Sequence, residues 1–277
     1  MNKPNRPALV VAAVRGAALA LVAGLAVFGA PANASASTVV VCTNDTAHDT
    51  LTLQTAINAG GIVTIAAGTC ALSNHMAVAK STTITGAGAA ATFLVQHGDI
   101  NIFQITAPGV TVENMNLDTR TYNTASPSPQ PSVLFSAKSN TSVLNVTAEA
   151  GNGFGMRISG PSPCTTFQTT GTVVQNLNIT SSGTGGFASL DIDCSNGAAL
   201  SNITIHGNYV ALYQDENSRL TTETYTPAAK RCQFAVYITG YASNIAVSGV
   251  MGGGGVKQAG TPLVAISVAN VTKAPLC

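Results

Sequence analysis

Beyond residue 36 the chain is built from short bursts in which apolar and polar residues alternate, as in Met115-Asn116-Leu117-Asp118 and Ile203-Thr204-Ile205-His206. A period of two places successive side chains on opposite faces of an extended strand. The bursts sit inside a longer phrase of asparagine followed by apolar, polar, apolar. It reads VENMNLDT at 112–119, VQNLNITS at 174–181, LSNITIHG at 200–207 and ASNIAVSG at 242–249, with a degenerate copy, TSVLNVTA, at 141–148. A second set of strand-like stretches accompanies these copies: IFQIT (102–106), FGMRIS (154–159), FASLDID (187–193), FAVYIT (234–239) and PLVAISV (262–268).

Successive copies are offset by 29, 33, 26 and 42 residues. A recurring unit with insertions of variable length is the pattern of a solenoid whose loops differ while its strands stay in register. Two or more short strands per turn, with no helical periodicity between them, predict an all-β parallel β-helix of about eight coils. In such a fold each coil pairs with the coils above and below at about 4.8 Å. Asn114, Asn176, Asn202 and Asn244 are expected to stack at one corner, because asparagine tolerates a left-handed backbone and its amide can bond the next coil's amide. A short helical pattern occurs only at 51–59.

The stretch LQTAINAGGIVTIAAGTCALSNHMAVAKSTTITGAGAAATFLV (53–95), followed by NIFQITAPGVTVENMNLDT (101–119), resembles the opening of pectin-lyase-like proteins. The resemblance implies a single-stranded right-handed parallel β-helix with a short N-terminal capping helix over the first coil, formed around Leu53, Ala56 and Ile57. Ala67-Gly68-Thr69-Cys70 takes the place of that family's Pro-Gly-Thr-Tyr, with Cys70 able to staple Cys42. The enzymes of this superfamily act on polysaccharides. Their diagnostic sets are not matched, since 116–118 reads Asn-Leu-Asp and 205–207 reads Ile-His-Gly, and no Arg-x-Pro-x-x-Arg is present.

Ahead of the repeats, Lys3, Arg6 and Arg15 precede the apolar run GAALALVAGLAVFGA (16–30) and the small-residue sites Ala32-Asn33-Ala34 and Ala34-Ser35-Ala36. This predicts a signal peptide at 1–36, a β-helix domain at 37–277 and an extracellular destination. Fifteen apolar residues are few for a bilayer span, so no membrane partner is expected. Loss of the three leading cations leaves nine basic residues against eleven acidic ones. That balance argues against a nucleic-acid partner, which needs a concentrated basic patch. A monomeric solenoid is expected. Six cysteines in an exported chain favour disulfides, and they allow 15 pairings; the β-helix reading favours Cys42–Cys70, Cys164–Cys194 and Cys232–Cys277.

Alternation supplies the candidate chemistry. The resemblance implies polysaccharide along the strand after the asparagine corner, where the outward residues include Asn116, Asp118 and Arg120, then Asn145 and Glu149, then Asn178, then His206. Asp118, Glu149, His206 and Arg120 are the catalytic candidates, and Asn116, Asn145, Asn178, Tyr213 and Tyr237 the substrate-binding ones. No metal site is predicted and no cofactor is required, although two carboxylates on neighbouring coils could share a Ca²⁺. Alternatively, Arg120 and Glu149 form a cross-strand surface pair. The preceding strands offer Arg157, Asp191, Asp193 and Tyr237, with Arg157 beside Asp191. The stretch 208–233 reads as a long insertion whose tyrosines, Tyr213 among them, could stack on sugar rings. A polysaccharide-binding and polysaccharide-cleaving protein, either a lyase or a hydrolase, is thus set against a non-catalytic structural or adhesive solenoid.

Overall fold

The structure, a computed structural model, describes residues 37–98, 100–120, 132–151, 154–160, 164, 168–181, 188–227, 234–240, 242–260 and 263–274. Residues 1–36, read above as a signal peptide, and the expected Cys232–Cys277 pair lie outside these residues. Among them, strands assemble into a twelve-stranded sheet, an eight-stranded sheet and a two-stranded one, every pairing parallel. No described helix is long and apolar enough to cross a membrane.

Register explains the repeat. Val112, Val143, Val174, Leu200, Leu220 and Val247 stand in one column of the first sheet. All are buried. Met115, Val146, Leu177 and Ile203 form the next column. The facing wall comes from the second sheet, where Phe103, Leu134, Met156, Leu190, Val210 and Val236 stack in line. The two walls enclose one continuous apolar core, and its burial is the main source of the fold's stability.

Two corners hold the strands apart. At the first, Asn114, Asn145, Asn176 and Asn202 all have φ between 53° and 59°. The amide of Asn145 donates to Asn114 Oδ1 (3.0 Å), Asn176 to Asn145 Oδ1 (2.7 Å) and Asn202 to Asn176 Oδ1 (3.0 Å). Asn145, though exposed, is therefore a member of the corner ladder rather than of the strand that follows it. Asn244 belongs to the second corner, where it donates to Asn217 Oδ1 (2.6 Å) and Asn217 donates to Asn196 Oδ1 (2.8 Å). The copy at 242–249 is thus out of phase with the others: Val247, not Ala242, aligns with Leu220.

The stretch 208–233 contains a coil of its own, where a loop was expected. Val210–Tyr213 joins the second sheet and Arg219–Pro227 the first. It escaped the repeat pattern because Thr222 occupies the asparagine position (φ 61°) and Glu223 the apolar position between Ile203 and Val250.

The N-terminal end is closed by helix α1, Thr46–Ala59, which begins five residues before the helical pattern at 51. Asp45 caps it, its carboxylate accepting from the His48 N–H at 2.7 Å. Buried Leu53, Ala56 and Ile57 face the first coil as expected. Asp49, also buried, accepts from Thr43 N (2.8 Å) and Ala71 N (3.1 Å), tying the helix to the strand beside it. Burial works to raise its pKa, but the Thr43 amide, the His48 ring and the Ala71 amide outweigh it and hold it below the usual value. The Cys42–Cys70 disulfide closes the same junction, and Cys164–Cys194 joins neighbouring coils further along.

Candidate functional site

The face after the first asparagine corner brings together part of the expected set. Asp118 accepts from the Arg120 backbone N–H (2.8 Å), Nε (3.1 Å) and Nη2 (2.8 Å). Arg120 also pairs with Glu149, whose other oxygen accepts from Asn116 Nδ2 at 2.9 Å. The two carboxylates on neighbouring coils thus share one guanidinium, the cross-strand pair weighed above. The hydrogen bond to Asp118 raises the Arg120 pKa despite partial burial. His206 stands apart in that column: Thr180 separates it from Glu149, so it is two coils, roughly 10 Å, away. Asn178 is exposed between Thr147 and Thr204.

The second sheet assembles a different constellation. Parallel register places Phe135, Arg157, Asp191, Ala211, Tyr237 and Lys257 in one outward column. Ser159, Asp193, Tyr213 and Thr239 form the column beside it. Arg157 Nε lies 3.0 Å from Asp191 Oδ2, in an ion-pair contact not aligned as a hydrogen bond, and its Nη2 lies 3.4 Å from Asp193 Oδ2. Asp193 also accepts from the Ser159 hydroxyl at 3.2 Å.

One guanidinium thus serves two largely buried acids. Burial dominates the Asp191 carboxyl, Arg157 opposes it and the Asp193 charge adds to it, so its pKa is pushed up to about 7. Burial likewise raises Asp193, against the Ser159 hydroxyl and Arg157. A carboxyl whose value lies near neutrality suits proton transfer.

Aromatic rings flank the acids. Tyr209 and Tyr237 meet edge to face with centroids 5.9 Å apart, and Phe234 lies 4.8 Å from Tyr209 and 4.9 Å from Tyr237. Lys257 Nζ sits 5.1 Å over both Phe234 and Tyr237, and Arg157 stacks 5.2 Å over Phe154. Tyr213, expected in a loop, ends a strand beside Asp193. Flat rings next to paired carboxyls can hold and act on a sugar. No ion is needed to explain the acids, and the Cys164–Asp193–Cys194 cluster has both sulfurs in a disulfide.

No protein-family model matches the sequence, and no curated protein matches it. Among solved structures, the chain is similar to the catalytic domain of a GH87 α-1,3-glucanase in complex with nigerose. The match has a TM-score of 0.57 and 15% identity, over 85% of this chain and 45% of that one. A second structure of that domain with nigerose aligns at TM-score 0.55 with the same identity and coverage. Carrot pectin methylesterase aligns at TM-score 0.46 and 7% identity, over 78% of this chain and 74% of that one. The fold is a right-handed parallel β-helix. The chain spans under half the length of the glucanase domain, and at this identity the likeness is one of fold.

Proposed function

We propose that this chain is an exported protein that binds a polysaccharide along the outer face of the second sheet and cleaves it by acid–base chemistry at Asp191 and Asp193. The observation that carries this proposal is the juxtaposition of two acids on one guanidinium with the Tyr209–Phe234–Tyr237 ring cluster on the same face. Coils repeat about every 4.8 Å, so successive coils along one column offer successive seats.

In this scheme Asp191, the more deeply buried acid, keeps the proton and delivers it to the glycosidic oxygen as the C–O bond breaks. Asp193, held by Ser159 and Arg157, accepts the proton of the attacking water. Arg157 stabilises the ionised member of the pair and orients both. The rings of Tyr237 and Phe234 present apolar faces to the C–H side of neighbouring sugars, with Tyr213 at the rim. The disulfides and the cap α1 suit a protein that works outside the cell. The Asp118–Arg120–Glu149 network is assigned to holding two coils of the first sheet together, because Arg120 on one coil bridges to Glu149 on the next.

Calorimetric titration of wild type against pectic, alginate-like, α-1,3-glucan and β-glucan polymers, with and without Ca²⁺, tests the proposal. Binding of one class, with new chain ends released, is the expected result. Absence of binding to every polymer at millimolar sugar concentration would favour the structural or adhesive solenoid instead.

A further inference from the structure

The coil that carries Val210–Tyr213 and Arg219–Pro227 gathers three unfavourable groups. Glu223 is fully buried in the apolar column between Ile203 and Val250, and neither carboxyl oxygen has a hydrogen-bond partner. Asp215 is fully buried at the preceding corner, where Oδ1 accepts from Ser195 N at 2.9 Å and Oδ2 has no partner. Thr222, a β-branched residue, holds a left-handed backbone (φ 61°) where neighbouring coils use asparagine or glycine. A buried carboxyl without a partner is tolerable only while it is uncharged.

Neither acid has a compensating cation among the described residues. Asp191 and Asp193 add like charge to the surroundings of Asp215, and their guanidinium, Arg157, is shared between them. Tyr225 is the titratable neighbour of Glu223, its hydroxyl donating to Gly207 O at 3.1 Å. Above and below Glu223 are hydrocarbon side chains.

We propose that this coil is a proton-locked segment. It stays stacked between its neighbours while Asp215 and Glu223 are neutral, and it opens locally, ahead of the other coils, when they ionise. Burial favours the neutral form of both acids in the closed coil. In the open coil they meet water and ionise with ordinary carboxylate values, so opening is promoted as pH rises above that range. The strained corner at Thr222 lowers the stability of the same segment at every pH. Opening would remove Tyr209, Ala211 and Tyr213 from the second-sheet face and so switch off the site near neutral pH; this consequence alone rests on the proposed function.

Hydrogen exchange with mass spectrometry on the full chain, from about pH 4.5 to about pH 8.5 and corrected for intrinsic rates, tests the lock without any polysaccharide. Peptides within 208–227 should lose protection by about tenfold per pH unit for each acid that ionises only on opening, whereas peptides within 134–181 stay protected. The double variant Asp215→Asn/Glu223→Gln should flatten that response. A loss of protection shared equally by all coils, or a pH response that survives in the double variant, would overturn the proposal. If the double variant does not fold, the wild-type contrast between the two regions decides.

Discussion

Arg157 Nε stands 3.0 Å from Asp191 Oδ2, one coil step along the second sheet. It is the contact that opposes the effect of burial on this acid. Replacing Arg157 with Met keeps the aliphatic stem and removes the charge, so the Asp191 value should rise further above about 7. Carboxyl ¹³C shifts followed across pH measure this directly. A midpoint that falls in Arg157→Met would refute the account of how the acid is tuned.

The corner ladder predicts a contrast between two asparagines of the same strand. Asn176→Ala loses a bond to Asn145 and one from Asn202 and forces alanine into a left-handed backbone, at a cost of about 1–3 kcal/mol. Asn178→Ala, on the exposed face, should change stability by less than about 0.5 kcal/mol. Thr222→Asn extends the ladder from Asn202 and should stabilise by about 1 kcal/mol. Urea unfolding of the three variants checks the order.

Stability should depend on pH with a definite sign. Glu223 has a folded-state pKa above its unfolded one. Its contribution is therefore full below about pH 4.3, the unfolded value, and is lost as pH rises toward the folded value. Asp191 acts in the same direction between about pH 3.9 and about 7. Asp49, whose value is lowered, acts oppositely and loses its contribution as pH falls. Thermal melts of wild type and Glu223→Leu should diverge as pH rises from about 5 to about 7, with wild type losing more. Parallel curves would contradict the burial of an unpaired Glu223.

Periodicity made the strands and the Asn114–Asn176–Asn202 stack legible, because alternation and left-handed asparagine follow directly from backbone sterics, whereas the cap was implied by the family resemblance. It failed where the identity of one residue broke the rhythm. Thr222 and Glu223 hid an entire coil, and Asn244 matched the phrase from the wrong corner. Asp118 and Glu149 were legible as outward acids, but sequence alone did not decide that Arg120 would join them. The alternation in Leu190-Asp191-Ile192-Asp193 placed both acids outward. What it could not supply was their depth, which depends on how neighbouring coils cover them, nor the ring cluster, which draws Tyr209, Phe234 and Tyr237 from separate coils.

The central claim is that the second-sheet face, not the first, meets the polysaccharide. The most direct measurement is binding and cleavage of the best polymer by Asp191→Asn and Tyr237→Ala beside Glu149→Ala and His206→Ala, each shown to be folded by circular dichroism. Asp191→Asn should abolish cleavage while binding persists, and Tyr237→Ala should weaken binding by about 1–3 kcal/mol for a lost ring contact. The first-face variants should keep wild-type behaviour. Loss of binding in Glu149→Ala or His206→Ala, with Asp191→Asn and Tyr237→Ala unaffected, would contradict the claim and return the site to the strand after the asparagine corner.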